Sequence, residues 1–133
     1  MSSGQTPGGG EVLGERAVAL LRGGDLAGAE RLCAQILAAE PHSFTGQYLL
    51  GAIRALQGRN SEALGLVGAA LAVKPDATDA LLQYGNILRA LGRPEEALES
   101  YERALALRPD YIEVLNNRGL TLAELGRPEA ALE

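Results

Sequence analysis

The stretch TDALLQYGNILRALGRPEEALESYERALALRP, residues 78–109, carries two runs of apolar residues at helical spacing. Leu81, Tyr84, Gly85, Leu88 and Leu91 form the first run, and Ala97, Leu98, Tyr101, Ala104 and Leu105 form the second. This rhythm predicts two amphipathic helices. Between them, Gly92 suits the left-handed residue that ends a helix, and Pro94 suits a first helical position, where its missing N–H costs nothing. Glu95 and Glu96 fall in the first turn, where negative charge meets the positive helix end. Pro109 pushes Arg108 out of helical backbone and closes the unit. The segment LGRPEEALE, from Leu91, is therefore a corner between two helices.

The same corner recurs as LGRPEAALE from Leu125 to Glu133, and the interval is 34 residues. Pro41, Pro75 and Pro109 keep it, as do Gly24, Gly58, Gly92 and Gly126, and Ala29, Ala63, Ala97 and Ala131. A fourth row runs Ala17, Gly51, Gly85, Gly119. A fixed period of this length decides the architecture before any local reading does. The glycines inside the first helices need a reason, because mid-helix glycine costs about 1 kcal/mol relative to alanine. Close packing of the two helices supplies one, with Ala63 and Ala97 expected opposite Gly51 and Gly85.

Composition agrees with packed helices. Apolar residues make up 47% of the 133 residues and charged ones 22%, a globular balance, while aromatics at 4% leave the core to aliphatic and small side chains. A net charge of -5 argues against nucleic acid as a partner, since phosphate neutralisation needs a basic surface. The segment MSSGQTPGGG has no basic region and no apolar run, so a signal peptide is not expected. No window reaches the apolar length of a membrane span, and one cysteine cannot form an internal disulfide, so the expected setting is cytoplasmic.

The rows resemble the tetratricopeptide repeat (TPR). Residues 78–111 match its layout in full, with Leu81, Tyr84, Gly85, Leu88, Ala97, Tyr101, Ala104 and Pro109. Residues 44–77 supply Leu50, Gly51, Ala63, Val67, Ala70 and Pro75 but carry Gln47 and Arg54 where large apolar residues are usual. Residues 10–43 match more weakly, through Leu13, Ala17, Leu20, Ala29, Cys33, Ile36 and Pro41. Residues 112–133 give Leu115, Gly119, Leu122 and Ala131. The resemblance implies an all-α superhelix, or solenoid, of three full helix-turn-helix repeats and a truncated fourth, behind a flexible tail at residues 1–9.

It also implies where a partner would sit, because in this family the first helix of each repeat lines a concave groove. Carried over, the groove positions are Glu11, Val18, Leu21 and Arg22, then Thr45, Tyr48, Ala52 and Ala55. Asp79, Leu82, Asn86 and Arg89 follow, then Glu113, Asn116, Leu120 and Glu124. Of these, Val18, Tyr48, Leu82, Asn86, Arg89 and Asn116 are the expected groove contacts with a protein or peptide partner. Tyrosine offers apolar area with a polar tip, asparagine can pair with a backbone amide in both senses, and arginine can hold a carboxylate. The acids Glu11, Asp79 and Glu113 lie in first turns, where the helix dipole already accounts for them.

Two subfamily patterns can be checked. The carboxylate clamp that grips chaperone C-termini needs lysine and asparagine on the first helix, and here those places hold Gly14 and Val18, with Asp79 and Gln83 on the third-repeat helix. The clamp is absent. The asparagine ladder of the O-GlcNAc transferase arm would run through Glu15, Leu49, Gln83 and Asn117, and only the last two fit.

No catalytic constellation is legible. His42 falls in a turn after Pro41, with no second histidine or cysteine at metal-ligand spacing, so no metal and no cofactor is expected. Cys33 occupies a packed position and reads as a buried, inert thiol. Arg54 falls on a face that should be buried. Either its stem snorkels to the edge, or the helix is rotated so that Tyr48, Leu49, Ile53 and Leu56 face inward. The last helix would span only Pro128 to Glu133, which leaves Leu115, Leu122 and Leu125 with little cover. The expectation is a chain that continues, or one that self-associates through this end. The resulting function is a non-catalytic protein-interaction module, with a substrate-recruiting arm of a larger enzyme such as a glycosyltransferase as the alternative.

Overall fold

The computed structural model describes residues 8–126. Among them are seven helices and no strand: α1 (Gly8–Arg22), α2 (Leu26–Ala39), α3 (Phe44–Leu56), α4 (Asn60–Val73), α5 (Thr78–Ala90), α6 (Pro94–Leu107) and α7 (Ile112–Glu124). The all-α helical-repeat class expected from the period is the one found. The helix starting at Gly8 takes in the last residues of the stretch read as a tail, and residues 1–7 lie outside the described residues. So does the short last helix expected from Pro128 to Glu133.

Each corner is built as the sequence suggests. Gly92 has φ +77°, its N–H bonds to the Arg89 carbonyl at 3.0 Å, and the Arg93 N–H reaches back to Leu88 at 2.9 Å. This pair of bonds satisfies the orphan carbonyls at the end of α5. Gly24 and Gly58 repeat it with φ +87° and +77°. The next helix is then started locally. Arg93 forks onto Glu96 at 2.7 and 2.8 Å, Arg59 does the same to Glu62 at 2.8 and 2.9 Å, and Asp25 caps the Gly28 N–H at 2.9 Å. Arg108, ahead of Pro109, has φ -143° and ψ 84°, outside helical backbone.

The chain divides into two units, Met1–Val73 and Lys74–Glu133. In the first, α2 packs between α1 and α3, and α4 closes on α3. Its core holds Ala17, Ala29, Leu32, Cys33, Leu49 and Ile53, with Val18 and Tyr48 packed against the edge. A Cβ at Gly51 would come within 2.6 Å of Val67 Cγ2, so the residue that exploits the glycine is Val67 and not Ala63.

In the second unit, α6 packs on both α5 and α7. Gly85 is covered by the ring of Tyr101, which would collide with any side chain there. Tyr101 is fully buried. The expected partner of Gly85, Ala97, is again not the residue in closest approach, because the helices meet one turn further along. Leu122, expected to be poorly covered, is only 4% exposed, while Leu115 is 45% exposed and Leu125 half-buried.

Arg54 does not need a rotated helix. Leu56 is 67% exposed, and the guanidinium, with its side chain 13% exposed, bonds to Glu30 on α2 at 3.0 Å. Glu62 on α4 lies 3.6 Å away, and Gln57 accepts at 3.0 Å. Pairing from two neighbouring helices is what makes a nearly buried charge tolerable at an apolar position.

Candidate functional site

In the first unit an open pocket of about 560 Å³ lies between α1 and α3. On α1 its walls are Glu11, Gly14, Glu15, Val18 and Arg22, one helical stripe; on α3 they are Phe44, Thr45, Tyr48 and Leu49. The helices can come together here because Gly14 has no side chain: a Cβ would sit 2.7 Å from Thr45 Cγ2. Phe44 and Tyr48, one turn apart, stack with ring centroids 5.5 Å apart and planes 14° from parallel. The rings give one wall of the pocket a broad apolar surface. Glu11, Glu15 and Arg22 are exposed and make no ion pair among the described residues.

On the corresponding face of the second unit several polar groups are paired with one another. Arg89 on α5 holds Glu124 on α7 with both prongs, Nε to Oε1 at 3.2 Å and Nη2 to Oε2 at 3.0 Å. This pairing raises the arginine further above its ordinary range and holds the Glu124 carboxyl below the usual glutamate value. Asn86 Oδ1 accepts from the Tyr101 hydroxyl at 2.6 Å and from Asn117 Nδ2 at 2.9 Å. Burial pushes the Tyr101 phenol up, so it stays a neutral donor. At the start of α5, Asp79 accepts from the Tyr111 hydroxyl at 2.5 Å.

The expected contacts therefore separate. Val18 and Tyr48 come together in the α1–α3 pocket, along with Glu11, Arg22 and Thr45. Leu82 is 7% exposed and packs in the core. Asn86 Oδ1 and the Nε and Nη2 of Arg89 are engaged by neighbouring helices. Asn116 is exposed, beside a hollow of about 460 Å³ formed with Leu115, Gly119 and Leu120. Phe44 was missed, although it is the one phenylalanine and stands one turn before Tyr48. Glu15, read only as a failed ladder position, also lines the pocket, as does Leu49.

Among the described residues no group of three His, Cys, Asp or Glu side chains could hold a metal ion, and no helix is long and apolar enough to cross a membrane. Cys33 is fully buried, and burial with the nearby Glu30 charge pushes its thiol up to about 11.

Family models described as tetratricopeptide repeat and TPR repeat match residues 15–72 and 85–126. The chain belongs to the tetratricopeptide-repeat family. Comparison with curated proteins gives no match. Among solved structures, a mutant of the Thermobaculum terrenum O-GlcNAc transferase is 29% identical, with 92% of this chain and 23% of that one covered and a TM-score of 0.86. The TPR chain thus spans under a quarter of that protein's length. MamA is 20% identical over 96% of this chain and 74% of its own, with a TM-score of 0.83. The first TPR of Spaghetti, bound to the HSP90 peptide SRMEEVD, is 23% identical over 88% of this chain and 95% of its own, with a TM-score of 0.82. At these identities the last two show the shared fold alone.

Proposed function

We propose that this chain is a non-catalytic peptide-binding module and that the α1–α3 pocket is where its partner docks. The observation that carries this reading is a contrast between the α1–α3 face of the first unit and the α5–α7 face of the second. Asp79, Arg89 and Glu124 of the second face are held by hydrogen bonds and an ion pair, with Glu113 left exposed, whereas Glu11, Glu15 and Arg22 surround an aromatic-walled hollow and form no ion pair among the described residues. A pocket of about 560 Å³ has the capacity of an ordinary small-ligand or side-chain site. That Spaghetti's first TPR holds a peptide lends the reading support by analogy of fold. The partner would differ, because Gly14 and Val18 stand where a carboxylate clamp needs its polar residues.

Calorimetric titration of peptides selected on an array tests this directly. Tyr48→Ala and Val18→Asp should each weaken binding by about tenfold or more, as expected for anchors at the centre of a contact. Arg89→Ala should leave affinity unchanged. Equal binding by wild type and both pocket variants would remove the assignment.

A second reading makes the chain a substrate-recruiting arm of a larger glycosyltransferase. It rests on the 29% identity to the Thermobaculum terrenum enzyme over 92% of this chain. Coding sequence past Glu133 that runs into a catalytic domain would support it, and a stop codon there would end it.

A further inference from the structure

The α1 side of the pocket is a charged stripe with a direction. Glu11 and Glu15 stand at one end, Val18 in the middle and Arg22 at the other. At about 1.5 Å rise per residue, the midpoint of the two glutamates lies roughly 7.5 Å from Val18, and Arg22 lies roughly 6 Å beyond it. Glu11 also stabilises the first turn of α1, but Glu15 lies past that turn and gains nothing from the helix dipole. Two carboxylates one turn apart repel each other weakly, and neither has an ion-pair partner among the described residues.

An extended peptide advances about 3.3 Å per residue and points alternate side chains to the same side. Residues two apart are thus separated by roughly 6.6 Å, which matches both intervals of the stripe. We infer that the pocket selects an extended segment with a lysine or arginine, an apolar residue two positions away and an acidic residue two positions further on. The inference rests on the α1–α3 pocket being the docking site. The cation lies between Glu11 and Glu15, the apolar side chain enters against Val18, Tyr48 and Leu49, and the acid meets Arg22. A doubly acidic segment places a carboxylate against two others, which is the opposing element that specificity needs.

Fluorescence polarisation with short synthetic peptides tests the rule. The mixed probe has lysine, leucine and glutamate at alternate positions and is made in both chain directions. The competitor has glutamate at both outer positions, and a third probe has serine for leucine. The better-binding direction of the mixed probe should exceed the doubly acidic one by about tenfold at low salt and lose that advantage as salt rises. The serine probe should bind more weakly than the mixed one. The double variant Glu11→Lys/Glu15→Lys should invert the order of mixed and doubly acidic probes. Arg22→Glu, at the far end of α1, should instead favour a probe with lysine at both outer positions. If mixed and doubly acidic probes bind equally in wild type and neither variant shifts the order, the charge rule is overturned. Loss of that equal binding in Tyr48→Ala would leave the docking reading standing. No binding by any probe at millimolar concentration would overturn the docking reading and the rule together.

Discussion

Asn86 Oδ1 accepts the hydroxyl proton of Tyr101 at 2.6 Å, joining α5 to α6 from within the second unit. The same oxygen takes Asn117 Nδ2 at 2.9 Å, so α7 is tied to the pair as well. A side chain that fits a groove by its sequence position is occupied in holding three helices together. Asn86→Ala would leave a buried phenol without its acceptor and should cost about 1–3 kcal/mol, more than Tyr101→Phe, which removes the donor and costs about 1 kcal/mol. Urea denaturation measures both. Peptide affinity at the α1–α3 pocket should not change in either variant, and a loss of affinity in Asn86→Ala at full folding would show that Asn86 contacts ligand.

Stability should fall in acid for an identifiable reason. Arg54, Arg93 and Arg89 hold the carboxyls of Glu30, Glu96 and Glu124 below the usual glutamate value of 4.5. A carboxyl lowered in the folded state stabilises it at every pH above the unfolded value and loses that contribution as pH falls through the folded one. The melting temperature should therefore be insensitive to pH near neutrality and drop as pH goes below about 4.5. Glu124→Gln should lower it slightly at neutral pH and make the acid limb shallower. All three glutamates are open to solvent, so salt should shrink the whole effect.

Rows of glycine, proline and alanine at 34-residue spacing made the helices and corners legible, because each depends on local backbone chemistry. Gly92 at φ +77° is such a case. The site was less legible, since whether a polar side chain is free depends on residues distant in sequence. Arg89 reads as a carboxylate receptor until Glu124, 35 positions later, is seen to fill it. Arg54 is similar: its tolerance depends on Glu30, 24 residues earlier. Tyr48 and Val18 could be assigned to one stripe each, but the pocket between them depends on Gly14 letting Thr45 approach. No period in the sequence marks that contact.

Cys33 should behave as a reporter of unfolding. Its thiol is fully buried and pushed up to about 11, so near neutral pH almost none is thiolate in the folded protein. An unfolded chain exposes an ordinary cysteine with a value near 8.5. Reaction with a chromogenic disulfide reagent at neutral pH should be ~100-fold slower in the native protein than in concentrated urea. Rapid native labelling would mean that α2 opens far more often than its packing implies.

Two glycines in helix interiors should respond to alanine in opposite directions. Gly65, exposed within α4, has nothing within 4 Å of where a Cβ would go. Alanine there should stabilise the protein by about 0.5–1 kcal/mol, because it restricts the unfolded chain and collides with nothing. Gly85 has the same intrinsic preference for alanine, but its Cβ would enter the ring of Tyr101, a fully buried side chain tied at its far end to Asn86. A ring held at both ends cannot step aside, so overpacking outweighs the helix propensity gained. The expected result for Gly85→Ala is a loss of about 1–3 kcal/mol. Denaturation of both variants by urea separates the two contributions: a gain at Gly65 with no loss at Gly85 would mean that α5 and α6 are free to move apart.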